Sequence, residues 1–292
     1  MAFSANKKLM HKFLFSILSV IVVGMVGLTF FSYVMSKDAL QDALEKQVTQ
    51  VVESTQQSMT TWINDRKLDV GNWSQQKIYQ TAVQDSFLGK AARKSANSEL
   101  AILKKEYQYY AEILLLNKSG NIVAASNPDL ATDATYDNQR YFQQAVGGDI
   151  FVSDVTRDER LGRAVFAIAA PVATSGAVEG VLCGLIDMNR FNSIFIDKVK
   201  LGDTGYAFMF DKDGLVIAHP DPAQVLKTNM ADLDFGKQML AKRNGSHLYS
   251  YKGVEKYAYL SQDKDLGWTV AVGVGTDELL APAVKIRNFN SM

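Results

Sequence analysis

Few side chains in this sequence have the type and spacing to make or break a bond. Cys183 is the only cysteine, so neither an internal disulfide nor a cysteine-based zinc cluster is available. The three histidines, His11, His219 and His247, are too scattered for a metal constellation. No phosphate loop of the GxxxxGK[ST] type occurs: Gly89-Lys90 lacks both the preceding glycine and the following hydroxyl. Gly273-x-Gly275 has no third glycine for a dinucleotide site, and neither a GxSxG elbow nor an HExxH pair is present. Asp211-x-Asp213-Gly214 begins like a calcium loop, but position six is not glycine and no glutamate closes it, so it reads as a turn. His219, in a loop before Pro220, reads as structural. What remains is recognition by charge. Asp187 precedes Met188-Asn189-Arg190, where it would cap a helix, and Asp158 lies in the run Arg157-Asp158-Glu159-Arg160, which alone reads as a solvated loop. Catalysis is poorly supported, and neither cofactor nor metal is expected.

The charges also place the chain. Lys and Arg total 31 and so do Asp and Glu, giving zero net charge over 292 residues, which argues against nucleic acid as a partner. That zero sums unlike parts. Phe13–Met35 is a run of 23 residues without a charge, about 35 Å long as a helix and enough to cross a bilayer. Lys7, Lys8 and Lys12 precede it, and no acid occurs before Asp38. This asymmetry predicts a cytoplasmic N-terminus (1–12), a transmembrane helix (13–35) and an exported remainder. A cleaved signal peptide is the rival, but the apolar run is long and Tyr33-Val34-Met35-Ser36 is a poor cleavage site. The exported part is mildly acidic, with 28 basic and 31 acidic residues, and thiol-poor, as suits a bacterial periplasm.

Beyond the anchor, Leu40, Leu44, Val48, Val51, Met59 and Ile63 recur at helical spacing, predicting one long helix over 38 to about 70. Its stripe fits either packing within the chain or a dimer seam. A second helical stretch is expected over Ser74–Tyr110, completing a helical region, 36–110. The pattern then changes. Ile113–Leu116, the turn Asn117–Gly120 and Asn121–Ala125 form a hairpin signature, and it returns 94 residues later as Phe208–Phe210, Asp211–Gly214 and Leu215–Ala218. Two further strand-like segments follow each hairpin: Ala164–Val172 and Val178–Met188, then Lys256–Ser261 and Trp268–Val274. The layout predicts an α+β fold with two tandem antiparallel modules, 111–198 and 199–285. Residues 278–292 read as a helix returning towards the membrane. No second apolar run follows, so a longer protein truncated at Met292 is expected.

Several segments carry a resemblance. Tyr141-Phe142-Gln143-Gln144-Ala145, Val152-Ser153-Asp154, Ala170-Pro171-Val172, Gly180-Val181-Leu182 through Asp187, Leu201-Gly202-Asp203-Thr204-Gly205-Tyr206-Ala207-Phe208 and Ala218-His219-Pro220 resemble the double Cache sensor domain of bacterial chemoreceptors, over roughly 38–285. The resemblance implies two stacked PAS-like modules, with ligand sensing outside the membrane in the distal one, 111–198. In amine- and amino-acid-binding members an Arg lies two residues before an aromatic pair. Here Gln139 stands at that position before Tyr141-Phe142, with Arg140 beside it as a possible substitute on an extended segment. Asp158 and Asp187 match the family's two downstream acids, and Tyr136 and Asp154 join the implied ligand contacts. Two carboxylates facing one pocket favour a cation, which Tyr141 or Phe142 could also face. The implied protein is a membrane-anchored receptor binding an amine or amino-acid-like molecule. It would be a homodimer in the inner membrane, signalling to chemotaxis proteins through a part outside this chain. The same module on a histidine kinase or cyclic-dinucleotide synthase is the alternative, and a periplasmic enzyme a weaker one.

Overall fold

The computed structural model describes residues 2–130 and 135–278, so the helix expected over 278–292 lies outside the described residues except for Glu278. Helix α1 (Ala2–Ser74) runs unbroken for 73 residues, about 110 Å, since neither proline nor a helix-ending glycine interrupts it. Its N-terminal half holds an 18-residue window of mean hydropathy 2.5, none of it buried, so it is long and apolar enough to cross a membrane. Farther along, Val48, Val52, Met59, Ile63 and Val70 are buried at intervals of four and seven, a single stripe on a 3.6-residue repeat. The stripe packs on sheets of the same chain, which is the intramolecular one of its two expected uses.

The second helical stretch is broken in two. Helix α2 (Lys77–Ala82) is followed by α3 (Phe87–Glu106), whose N-cap Ser86 accepts a hydrogen bond from the Gly89 N–H at 3.0 Å. The first sheet holds β1 (Tyr110–Asn117), β2 (Ile122–Ala125), β3 (Phe151–Val152), β4 (Thr156–Asp158), β5 (Arg163–Thr174) and β6 (Ala177–Asp187), with helix α4 (Arg140–Val146) against it. Helix α5 (Met188–Phe195) leads to the second sheet: β7 (Lys200–Leu201), β8 (Gly205–Phe210), β9 (Val216–Ala218), β10 (Gly245–Tyr251), β11 (Val254–Gln262) and β12 (Thr269–Gly275), with α6 (Asp234–Lys242) between β9 and β10.

All pairings are antiparallel, and the order β2-β1-β6-β5 in one sheet is matched by β9-β8-β12-β11 in the other. The two hairpin turns share their chemistry as well. Asn117 Oδ1 accepts the N–H groups of Ser119 and Asn121, and Asp211 Oδ1 those of Asp213 and Leu215. Gly120 and Gly214 then take φ of +78° and +90°.

Each sheet has two buried faces, because side chains alternate along a strand. In the first, Phe166, Ile168, Leu182 and Ile186 join the core around α1, while Val165, Ala167, Cys183 and Leu185 face α4. In the second, Val270, Val272 and Met209 face α1, while Phe208, Phe210 and Ala271 form a separate core. From its apolar end, α1 meets the second sheet first, through Glu53 with Tyr259 and Thr60 with Asp263. It then meets the first module, through Trp62 with Tyr109 and Trp73 with Tyr110. Where the modules touch, Trp268 lies edge-on to Phe166 at 5.2 Å between ring centres, a contact that ties the two sheets.

Candidate ligand-binding site

The front face of the first sheet, the face turned to α4, opens into a cavity of about 460 Å³. Val165, Ala167 and Leu185 form its floor, and Tyr136, Gln139 and Tyr141 one wall. Ser153 and the segment Thr156–Arg160 form the other. Two charged residues meet here. Asp158 Oδ1 accepts the N–H groups of Arg160 and Leu161 at 3.0 and 2.9 Å, which closes a tight turn with Gly162 at φ +66°. This fold-back brings the Arg160 guanidinium to 3.8 Å from Asp158 Oδ2 and 4.8 Å from the centre of the Tyr136 ring. Burial draws the Arg160 guanidinium below its ordinary range, and the neighbouring Glu112 carboxylate opposes that shift, so the group stays a cation.

Glu112 is a fully buried carboxylate at the start of β1, held by Lys104 Nζ at 2.8 Å, by the Asn127 N–H at 2.7 Å and by the Ser126 hydroxyl. Burial pushes the Tyr141 phenol and the Cys183 thiol far up, so both are neutral at physiological pH and the thiol is not a nucleophile. Among the described residues no three His, Cys, Asp or Glu side chains are grouped to hold a metal.

The structure brings together Tyr136, Gln139, Tyr141 and Asp158 of the eight residues expected from the sequence. The others stand elsewhere. Phe142 is 4% exposed and packs into the core beneath α4. Arg140 opens α4 instead of lying on an extended segment; successive side chains there diverge by 100°, and its guanidinium sits 5.3 Å from the Phe151 ring centre. Asp154 is outside the cavity, 3.3 Å from Lys212 of the second module. Asp187 flanks the cavity: Val165, its partner across β5 and β6, lines the floor, and directly opposed residues share a face. One Asp187 oxygen accepts from Arg163 Nη1 and the other from the Asn189 N–H, each at 2.8 Å, so the residue also caps α5. Arg160 was masked in the sequence by its place in a charged run, whose solvated reading hides the turn that folds it inward.

A family model, dCache_1, described as a Cache domain, matches residues 36–283. The chain belongs to this Cache family. Among curated relatives, the Cache chain is similar to the methyl-accepting chemotaxis proteins PctB of Pseudomonas aeruginosa (22% identity, 96% of this chain, 45% of the relative) and TlpB of Bacillus subtilis (25%, 98% and 41%). The chain thus spans less than half the length of those relatives. Its fold matches the ligand-binding domain of the P. aeruginosa amino acid chemoreceptor PctB in complex with L-Arg (TM-score 0.64, 21% identity, 84% of this chain and 93% of that one). It also matches the extracellular domain of the putative histidine kinase mmHK1S-Z2 (TM-score 0.62, 14% identity, 81% and 98%). The two stacked antiparallel modules of this Cache chain are therefore a sensor architecture that chemoreceptors use.

Proposed function

We propose that the chain is the extracytoplasmic sensing portion of a chemotaxis receptor and that the first cavity, in the module expected over 111–198, binds a small zwitterion such as an amino acid. The observation that carries this reading is the opposed pair in that cavity, Arg160 and Asp158 Oδ2 at 3.8 Å. A simple amine would meet the Arg160 cation and a simple acid the Asp158 anion, whereas a zwitterion satisfies both with charge-assisted hydrogen bonds. Arg160 then does the work that Gln139, a neutral amide, cannot. Asp187 supplies a second carboxylate for the ammonium group once Arg163 yields it. The L-Arg held by PctB is a ligand of this chemistry.

The apolar half of α1 serves as the anchor in an inner membrane, with the second module beside it and the first farther out, in the periplasm. Both sensing strands, β5 and β6, present alternate residues to the cavity and to α1, so a ligand that draws them together also moves α1, by about 1–2 Å in known cases. Two chains pairing along the exposed face of α1 would carry that displacement across the membrane to chemotaxis signalling proteins. No turnover of the ligand is required.

A thermal-shift panel of amino acids, amines and linear organic acids on the full chain in detergent tests the reading. At 100 times its Kd a true ligand adds about 2.7 kcal/mol, several degrees in melting temperature. Amino acids should be the hits, and Arg160→Ala should weaken the best of them about 10- to 100-fold, the worth of one charge-assisted contact. Hits confined to amines or to simple acids would overturn the zwitterion assignment.

A further inference from the structure

The second module carries a cavity of its own. Its front face, the one turned away from α1, encloses about 180 Å³, close to the 150 Å³ or so that admits one benzene ring. The walls are aromatic: Tyr206 and Phe208 from β8, Phe235 from α6, and Tyr249 and Tyr251 from β10. Phe235 and Tyr249 are stacked on each other at 4.7 Å and form one aromatic wall. His219 also lines it, and its Nδ1 accepts the Asp221 N–H at 2.9 Å. Its ring proton is thereby fixed on Nε2, a donor on the opposite edge.

Two lysines bring positive charge. Lys252 lines the cavity with its Nζ 5.2 Å from the Tyr251 ring centre, and Lys256 Nζ lies 5.0 Å from that of Tyr206. Among the described residues neither lysine has a carboxylate within 4 Å. Asp221, which also lines the cavity, accepts the Ala223 N–H at 3.0 Å and the Gln224 amide at 3.3 Å. Its carboxylate is within electrostatic reach of Lys252 and His219, so with both lysines the site keeps a net positive charge. Lys252 occupies the β10–β11 turn at φ +52°, a left-handed conformation that glycine adopts more readily than lysine. Aromatic walls alone would also suit a quaternary ammonium ion, but these ring faces already carry two ammonium groups that would repel one.

We propose that this second cavity binds a small carboxylate with a flat apolar body, its ring against the aromatic walls and its carboxylate at Lys252, Lys256 and His219 Nε2–H. The site does not depend on what occupies the first cavity. Benzoate, titrated calorimetrically into the full chain in detergent micelles, is the probe. Saturable one-site binding is expected. The doubly substituted Lys252→Ala/Lys256→Ala chain should bind at least tenfold more weakly, and benzamide, the same shape without the charge, should bind the unaltered chain at least tenfold more weakly than benzoate. Absence of saturable benzoate binding, equal affinity in the doubly substituted chain, or equal affinity for benzamide would each overturn the proposal.

Discussion

Asp187 is the residue on which two roles compete. Its carboxylate is committed to Arg163 and to the first turn of α5, yet it stands on the cavity's face beside Val165. Arg163 is 49% exposed, and an ion pair with one partner in solvent holds by only about 1 kcal/mol or less. A ligand ammonium group can therefore displace it. Arg163→Gln should tighten ligand binding, by up to about fivefold in a calorimetric titration, because it removes a competitor worth about that much. Asp187→Asn should weaken binding at least tenfold while barely moving the unliganded melting point, since asparagine caps a helix as well as aspartate. His219 provides a different test, against pH. Burial lowers its pKa below the ordinary 6.5, and its Nδ1 must stay unprotonated to accept the Asp221 N–H. The unfolded chain then binds the proton more readily, so this stabilisation is complete above about pH 6.5 and is lost as pH falls through the folded value. His219→Asn should flatten that part of the melting-temperature profile between pH 7 and 5.

At the scale of elements, α1 is tied to both sheets by unlike means. To the first module it is joined by rings, Trp62 with Tyr109, Phe191 and Phe195. To the second it is joined by a buried carboxylate. Asp263, 3% exposed, accepts from Thr60 and Gln56 of α1 through Oδ2, and its Oδ1 takes the N–H groups of Asp265 and Leu266. Asp263→Ala leaves those donors unmatched and should cost about 2–3 kcal/mol, read as a lower urea midpoint with unchanged m-value. The same turn occurs at Asp158, where Arg160 and Leu161 are the donors, so Asp-x-x-Leu-Gly at 158–162 and at 263–267 is one structural device used twice. At the other end of the second module, Glu278 accepts the N–H groups of Asp203 and Thr204 in the Leu201–Gly205 turn. That turn thus grips the chain where it leaves β12, which gives the Leu-Gly-Asp-Thr-Gly motif a physical role.

For the whole molecule, an exposed apolar run contrasts with the packed sheets, and the proposed anchoring follows from that contrast. Leu14, Phe15, Val20, Val23, Leu28 and Phe30 are each more than half exposed, a contiguous apolar surface that the proposed anchor would bury in lipid. The full chain should sediment with membranes, and Val22→Glu/Val23→Glu should release it to the soluble fraction, each central charge costing about 3 kcal/mol of insertion. Much of this design was legible in the sequence. Hydrophobic periodicity, turn residues and the lysine asymmetry are local properties, so the long helix, both hairpins, the repeated modules and the apolar span followed from residue order alone. The contents of the cavity followed only in part. Tyr141 and Phe142 are neighbours in the chain, yet a helix turns one towards the cavity and the other into the core. Arg160 looked solvated until a turn at Asp158 folded it inward, and the second cavity draws its walls from β8, α6 and β10, segments up to 45 residues apart between Tyr206 and Tyr251. Periodicity says which face of an element is buried. Which faces meet, and which charges they bring together, is decided only by tertiary packing, because convergence of distant segments leaves no periodic mark on any one of them.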